Sequence, residues 1–385
     1  MAPILPAAAD VVIVGGGVMG TSIAFHLAEA GVERVLLLER DGLGSGSTSK
    51  AAGGVRANFS DELNIALGAR SLEAFARFGE RPGQEIDLHR VGYLFLLETP
   101  DQLELFRAST RLQNAAGQPT RMLGVDEAVA LAPIISPDGL VGACFSPSDG
   151  HCTPESVVLG YASAARRLGA TLVTGCEVTG IDADGNQIRA VRTGRGTVRT
   201  GTVVCAAGAW SRQLGELVGV DLPVTPLRRQ IVVTEAIAGL PSGLPMTIDF
   251  SSTFYFHREG PGLLVGMSDP EELPGFHLNR TDTWLPRLTE RMEHRAPALL
   301  DVGLTGGWAG LYENTPDHNA LIGEADGVSR FLYATGFSGH GFLQGPAVGE
   351  VVRDLYLERT PFVDISPLHA GRFTTDTHRA ERNVV

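Results

Sequence analysis

Gly15, Gly17 and Gly20 follow the order GxGxxG, directly after the apolar run Val11 to Val14. They open a helical pattern through Ile23, Leu27 and Ala28 that stops at Gly31. In Gly15-Gly16-Gly17-Val18-Met19-Gly20 the first glycine of the motif makes a tight turn, the second admits a pyrophosphate against backbone, and the third lets helix and strand pack closely. A second apolar run, Val35 to Leu38, ends in Glu39, an acid about 20 residues on and placed to accept hydrogen bonds from a ribose diol. GxGxxG alone is a weak signal. With the strand before it, the helix after it and the acid at the next strand's end, it points to a bound adenine dinucleotide rather than to a glycine-rich turn.

Two later junctions repeat the theme. Val203 to Ala206 reads as a buried strand that breaks at Ala207-Gly208-Ala209-Trp210-Ser211, bringing backbone close to a second part of the same ligand. Ala320 to Gly323 and Phe331 to Thr335 read as paired strands around Glu324-Ala325-Asp326-Gly327. The second delivers the chain into TGFSGHGFLQG, Thr335 to Gly345, where His340 stands between glycines. Pro346 is expected in the first turn of the helix marked by Val348, Val351, Val352 and Leu355. The NH groups of that helix's N-terminus suit a polarised or anionic group. No Ser-His-Asp constellation is visible. The four cysteines, Cys144, Cys152, Cys176 and Cys205, form no CxxC pair and no metal spacing with histidine, so no metal is expected.

The elements that must hold these junctions alternate strand and helix. Pro154 to Leu168 reads as a helix, and Thr171 to Val173 and Glu177 to Asp182 as strands. Asp184-Gly185 is a hairpin turn into Gln187 to Arg192, with a further strand at Thr197 to Arg199. Val91 to Ser146 and Pro223 to Trp308 differ, with alternating strands at Gly92 to Leu97, Gln230 to Thr234, Thr253 to His257 and Gly262 to Gly266. They read as an antiparallel sheet with helices inserted twice into the dinucleotide fold, an α/β plus α+β chain. The expected division is residues 1–88, 148–222 and 320–385 for the dinucleotide domain and 89–147 and 223–319 for the substrate domain. Tyr255 and His257 alternate along one strand and so share a face, which either shapes a pocket or meets solvent. Arg228 and Arg229 precede the strand at Gln230 and are expected to be a solvated pair, with one able to reach the pocket.

At 385 residues, with 43% hydrophobic and 19% charged residues, the chain is an ordinary globular protein long enough for more than one domain. A formal charge of -13 and the absence of any Lys/Arg run argue against a nucleic-acid partner. MAPILPAAAD lacks the basic start of a secretory signal, and no run approaches the roughly 18 apolar residues of a membrane span. A cytoplasmic address is the expectation. Beyond the polar tail after Thr374 there is no low-complexity tract.

With the junctions in place, the chain resembles the flavin amine-oxidoreductase superfamily of sarcosine oxidase, glycine oxidase, D-amino acid oxidase and dimethylglycine dehydrogenase. It is most similar to the sarcosine oxidase beta subunits and L-proline dehydrogenases. VVIVGGGVMG, GSGSTSKAAGGVR, DGHCTPESV, VVCAAGAWS, WAGLYENTPDHNALIG and TGFSGHGFLQGPAVGEVV carry the resemblance, in family order over nearly the whole chain. It implies a discontinuous, Rossmann-like FAD domain of the glutathione-reductase type. FAD would have its adenine end at Gly15 to Gly20, Glu39, Arg40 and the backbone of Val178. The flavin ring would lie between Ser47, Thr48, Lys50, Ala51 and Ala52 on one side and Gly339, His340, Gly341, Phe342 and Leu343 on the other. Ala207, Gly208 and Trp210 would line the middle.

The reaction so implied takes a hydride equivalent from the carbon beside an amine nitrogen to flavin N5, leaving an imine that water hydrolyses. Arg56, ending GGVR, matches the arginine that holds the substrate carboxylate in sarcosine oxidases, and His340 would polarise or pack against the ring. Tyr255 and His257 complete the catalytic candidates. Lys50 stands where dimethylglycine dehydrogenases carry a flavin-linked histidine, and Ala309-Gly310-Leu311 lacks the linking cysteine of monomeric sarcosine oxidases, so non-covalent FAD is expected. Leu343 replaces a second carboxylate-binding lysine. Leu264 aligns with the lysine that promotes oxygen reaction, which weakens the case for a fast oxidase. The substrate would be a secondary or tertiary amine or amino acid, and the electron acceptor oxygen. The alternatives are a dehydrogenase serving a partner protein, partner subunit or quinone, and a non-catalytic flavin-binding assembly protein.

Overall fold

The computed structural model describes residues 4–374 and 380–383, so most of the polar tail beyond Thr374 lies outside the described residues. Its first layer is a six-stranded sheet in the order Leu321–Glu324, Phe331–Thr335, Val203–Cys205, Val11–Val14, Val35–Leu38, Thr171–Val173. All neighbours are parallel except the outermost pair, Leu321–Glu324 against Phe331–Thr335. Four central strands are buried throughout and apolar at every position but Thr335, as expected of a parallel sheet covered on both faces. On one face Val11, Ile13 and Leu37 pack with the helices Val18–Glu29, Pro154–Arg167 and Gly341–Tyr356. On the other, Val12, Leu36 and Cys205 share a core with Ile181, Ile188 and Val198 of the small sheet Val178–Asp184, Gln187–Thr193, Gly196–Arg199.

The second large sheet has eight strands, ordered Leu304–Asn314, Thr225–Thr234, Gly262–Met267, Phe254–Glu259, Met246–Asp249, Tyr93–Leu97, Gly142–Ser146, Arg121–Leu123. It is antiparallel except where Met246–Asp249 runs parallel to Tyr93–Leu97, a mixed step that alternation alone does not reveal.

Two expectations need correction. The last long helix begins at Gly341, so Pro346 sits inside it rather than in its first turn. A proline at this position forgoes the bond that a backbone amide there would make to the Phe342 carbonyl. Arg228 and Arg229 do not precede their strand, which begins at Thr225, and adjacent strand positions send them to opposite faces.

Candidate active site

The dinucleotide end is built by steric necessity. Gly15 has φ +114°, and a Cβ there would sit 2.2 Å from the Ala206 carbonyl oxygen; a Cβ on Gly20 would sit 1.9 Å from that of Gly15. The first strand, its helix and the strand ending at Cys205 can converge only on bare backbone. Thr48 Oγ1 accepts from the Val18 amide at 3.1 Å. Glu39 accepts from the Gly16 amide and the Asp41 amide, each at 2.7 Å, which fixes its carboxylate at the turn. Arg40 lies 4.6 Å over the Trp210 ring, and Trp210 stacks on Phe276 at 5.4 Å.

A cavity of about 510 Å³ joins these pieces. Gly15, Gly17, Val18, Met19, Glu39, Arg40, Ser47, Thr48, Lys50, Ala51, Val178, Ala207, Gly208, Trp210, Gly339, Gly341 and Phe342 all line it. Gly20 lies beneath the turn, against the Gly15 carbonyl. Ala52 lines a second cavity, of about 570 Å³, on the far side of Lys50 and Ala51. His340 and Leu343 are buried behind the wall. The glycine cradle, the anchored acid and the elongated set of lining residues fit FAD.

Arg56, His340, Tyr255 and His257 divide into separate settings. Arg56 is 3% exposed and does not line the main cavity. Its Nη1 donates to the Asn58 carbonyl, and its Nη2 to the Asn383 carbonyl at 2.8 Å, with His340 Nε2 at 3.1 Å. Its guanidinium lies 4.4 Å over the Phe59 ring. Burial, and then the Arg56 charge, hold the His340 imidazole well below its ordinary pKa, so it is neutral and accepts from the guanidinium. Arg56 thus ties the GGVR segment to the last helix and to residues 380–383. As placed, its guanidinium is engaged by these groups and lines neither cavity. Beside it Asp149 accepts from the Ala57 amide at 3.0 Å, and burial pushes its carboxyl up to about 7.

His257 is 2% exposed; its Nε2 meets the Ala52 carbonyl at 2.8 Å, and its ring packs on His151 at 4.3 Å in the second cavity. Tyr255 faces Tyr93, Tyr312 and Arg229, and burial raises its phenol well above the ordinary value. The shared face therefore looks inward.

Sequence inspection leaves Tyr312, Glu313 and Tyr93 outside the site, and admits Arg229 only as one of a pair of which one could reach the pocket. Arg229 pairs with Gly310 across the ladder and lines the main cavity, its guanidinium 5.1 Å over the Tyr312 ring. Its Nη1 donates to the Arg228 carbonyl at 3.2 Å, and its buried Nε has no partner among the described residues. Arg228, on the opposite face, is held by Glu272 at 2.7 Å. Neither belongs to a solvated pair. The available signal was strand parity: two adjacent arginines within one strand cannot share an environment.

The fold, the glycine cradle and the site define an FAD-dependent oxidoreductase. Residues 10–355 match the family described as DAO, FAD dependent oxidoreductase, and the chain belongs to that family. It is 32% identical to L-proline dehydrogenase from P. horikoshii, with a TM-score of 0.92 covering 97% of this chain and 100% of that one. Glycine oxidase from Geobacillus kaustophilus superposes with a TM-score of 0.85 at 27% identity, over 95% and 99% of the two chains. Mitochondrial dimethylglycine dehydrogenase of Rattus norvegicus is 30% identical over 95% of this chain but only 45% of its own length. The chain therefore spans about half of that relative. FAD is the cofactor of the family. Among the described residues no helix is long and apolar enough to cross a membrane.

Proposed function

We propose that the chain oxidises the C–N bond of a secondary or tertiary amino acid, with an N-methyl or cyclic nitrogen. The observation that carries this is Arg229, a guanidinium lining the FAD cavity that forms no ion pair with a carboxylate among the described residues and leaves a buried Nε–H unmet. A buried cation without an anion is costly, and a planar carboxylate is the partner whose geometry matches its fork. Tyr312, Tyr255 and Tyr93 surround this end as neutral phenols, kept so by burial. Such a setting disfavours a substrate ammonium and keeps the amine unprotonated, as oxidation at the adjacent carbon requires. Bound FAD supplies the two-electron oxidation. Relatives named for dimethylglycine, sarcosine and L-proline support the substrate class.

The acceptor of the electrons is part of the proposal. Leu264 is 3% exposed and lines the second cavity, so that wall has an apolar side chain where a lysine would favour oxygen. This supports a dehydrogenase serving a partner protein or quinone over a fast oxidase. Non-covalent FAD and a cytoplasmic address belong to the same proposal. Product analysis tests it: N-methyl amino acids should release formaldehyde and a cyclic imino acid should give its ring imine. Turnover of primary amino acids alone would overturn the assignment.

A further inference from the structure

Glu313 lies in the wall of the FAD cavity and belongs to none of the dinucleotide motifs. It ends the strand Leu304–Asn314, one residue after Tyr312. Its Oε2 accepts from Thr335 Oγ1 at 2.9 Å and from the Gly336 amide at 3.1 Å, and the Phe337 amide also bears on the carboxyl. The Thr335 hydroxyl, whose one proton serves Glu313, lies 2.6 Å from Ser211 Oγ, which can donate to it, and 3.2 Å from the Gly208 carbonyl oxygen. One carboxyl thus reaches from the substrate sheet to the Gly208 turn and to the Gly336–Gly341 turn. A carboxyl group offers about four acceptor positions, so these donors leave capacity toward the cavity. Both neighbouring walls are bare backbone: a Cβ on Gly208 would lie 3.6 Å from Oε2, and one on Gly341 would lie 3.4 Å from Oε1. The passage beside Glu313 is therefore narrow, rimmed by glycine and an acceptor.

FAD is a chain of adenosine, diphosphate, ribityl and flavin. A carboxyl group repels a diphosphate and gains nothing from the dimethylbenzene edge of the flavin; the flavin N3–H is a donor but sits on a broad ring, whereas the ribityl hydroxyls are donors on a thin chain. The position agrees, because Glu313 lies between the Gly208 turn and the neighbouring Tyr312, over whose ring the Arg229 guanidinium sits. We propose that Glu313 is a cofactor-positioning residue that accepts a hydrogen bond from the ribityl chain of FAD and so sets where the flavin lies against the substrate end. The inference rests on FAD binding by the family and not on the amino-acid substrate.

The test uses the full chain stripped of FAD and titrated, without substrate, with FAD and with its 2′-, 3′- and 4′-deoxyribityl analogues, following flavin fluorescence. For the wild type, at least one deoxy analogue should bind about tenfold or more weakly than FAD. That discrimination should shrink in Glu313→Gln and vanish in Glu313→Leu, which keeps the volume and removes the acceptor. Circular dichroism of the apo forms reports folding; should the leucine variant fail to fold, the glutamine variant decides. Wild-type discrimination retained in the folded variants, or no discrimination by the wild type, overturns the proposal.

Discussion

Replacing Arg229 with alanine separates an anchor from a structural residue. Folding should be little affected: the change forfeits one bond to the Arg228 carbonyl and the contact over Tyr312, but it also removes a buried Nε–H that has no partner among the described residues. A cation–π contact is worth about 0.5–2 kcal/mol and an unmet buried donor costs about 1–3 kcal/mol, so the two roughly cancel. Substrate recognition should not be spared. Truncating one member of a buried, hydrogen-bonded charge pair costs about 2–5 kcal/mol. Taking about 3 kcal/mol, kcat/KM for an N-methyl or cyclic amino acid should fall about a hundredfold. The matching amines without a carboxylate, dimethylamine or pyrrolidine, should change by less than about threefold. Arg229→Lys should recover part of the loss, because an ammonium restores charge but not the planar fork. Steady-state kinetics on both substrate sets with all three proteins are decisive. Equal losses for acids and amines, or none, would refute the anchor.

Arg56 and Asp149 give contrasting expectations. Arg56→Met leaves the Asn58 and Asn383 carbonyls and the His340 ring without their donor, so thermal or urea unfolding should show a loss of about 2–4 kcal/mol. The preference for acids over amines should persist; its collapse would return Arg56 to the clamp role. Asp149 has its folded pKa raised from 3.8 to about 7, so it contributes stability below its unfolded pKa that is lost as pH rises through the folded one. Urea titrations should show wild type losing on the order of 2–4 kcal/mol relative to Asp149→Asn between pH 4 and pH 7. A gap independent of pH would show that the carboxyl is ionised throughout.

The glycine turn was legible because its logic is local: Gly15, Gly17, Gly20 and Glu39 fall in or just beyond two strands and one helix, and their spacing alone implies the close approach later seen at the Ala206 carbonyl. The strands of the inserted sheet were legible from alternation, apart from one parallel pairing. The substrate end was not. Arg56 sits in a motif near the cofactor, yet what covers it is Asn383, 327 residues away in sequence. Arg229 looked like half of a surface pair until the strand's start at Thr225 put it on the opposite face from Arg228. Glu313 lies within the segment Trp308 to Gly323 but outside the dinucleotide spacing, and its carboxyl is pushed up to about 7 by burial that depends on three distant junctions meeting.

The most direct measurement mixes the FAD-loaded protein anaerobically with sarcosine, dimethylglycine or L-proline and follows bleaching of the flavin. At least one should reduce the flavin rapidly in the wild type, and much more slowly in Arg229→Ala at the same concentration. Flavin that stays oxidised with every N-methyl and cyclic amino acid, or is bleached equally well by amines without a carboxylate, would contradict the assignment.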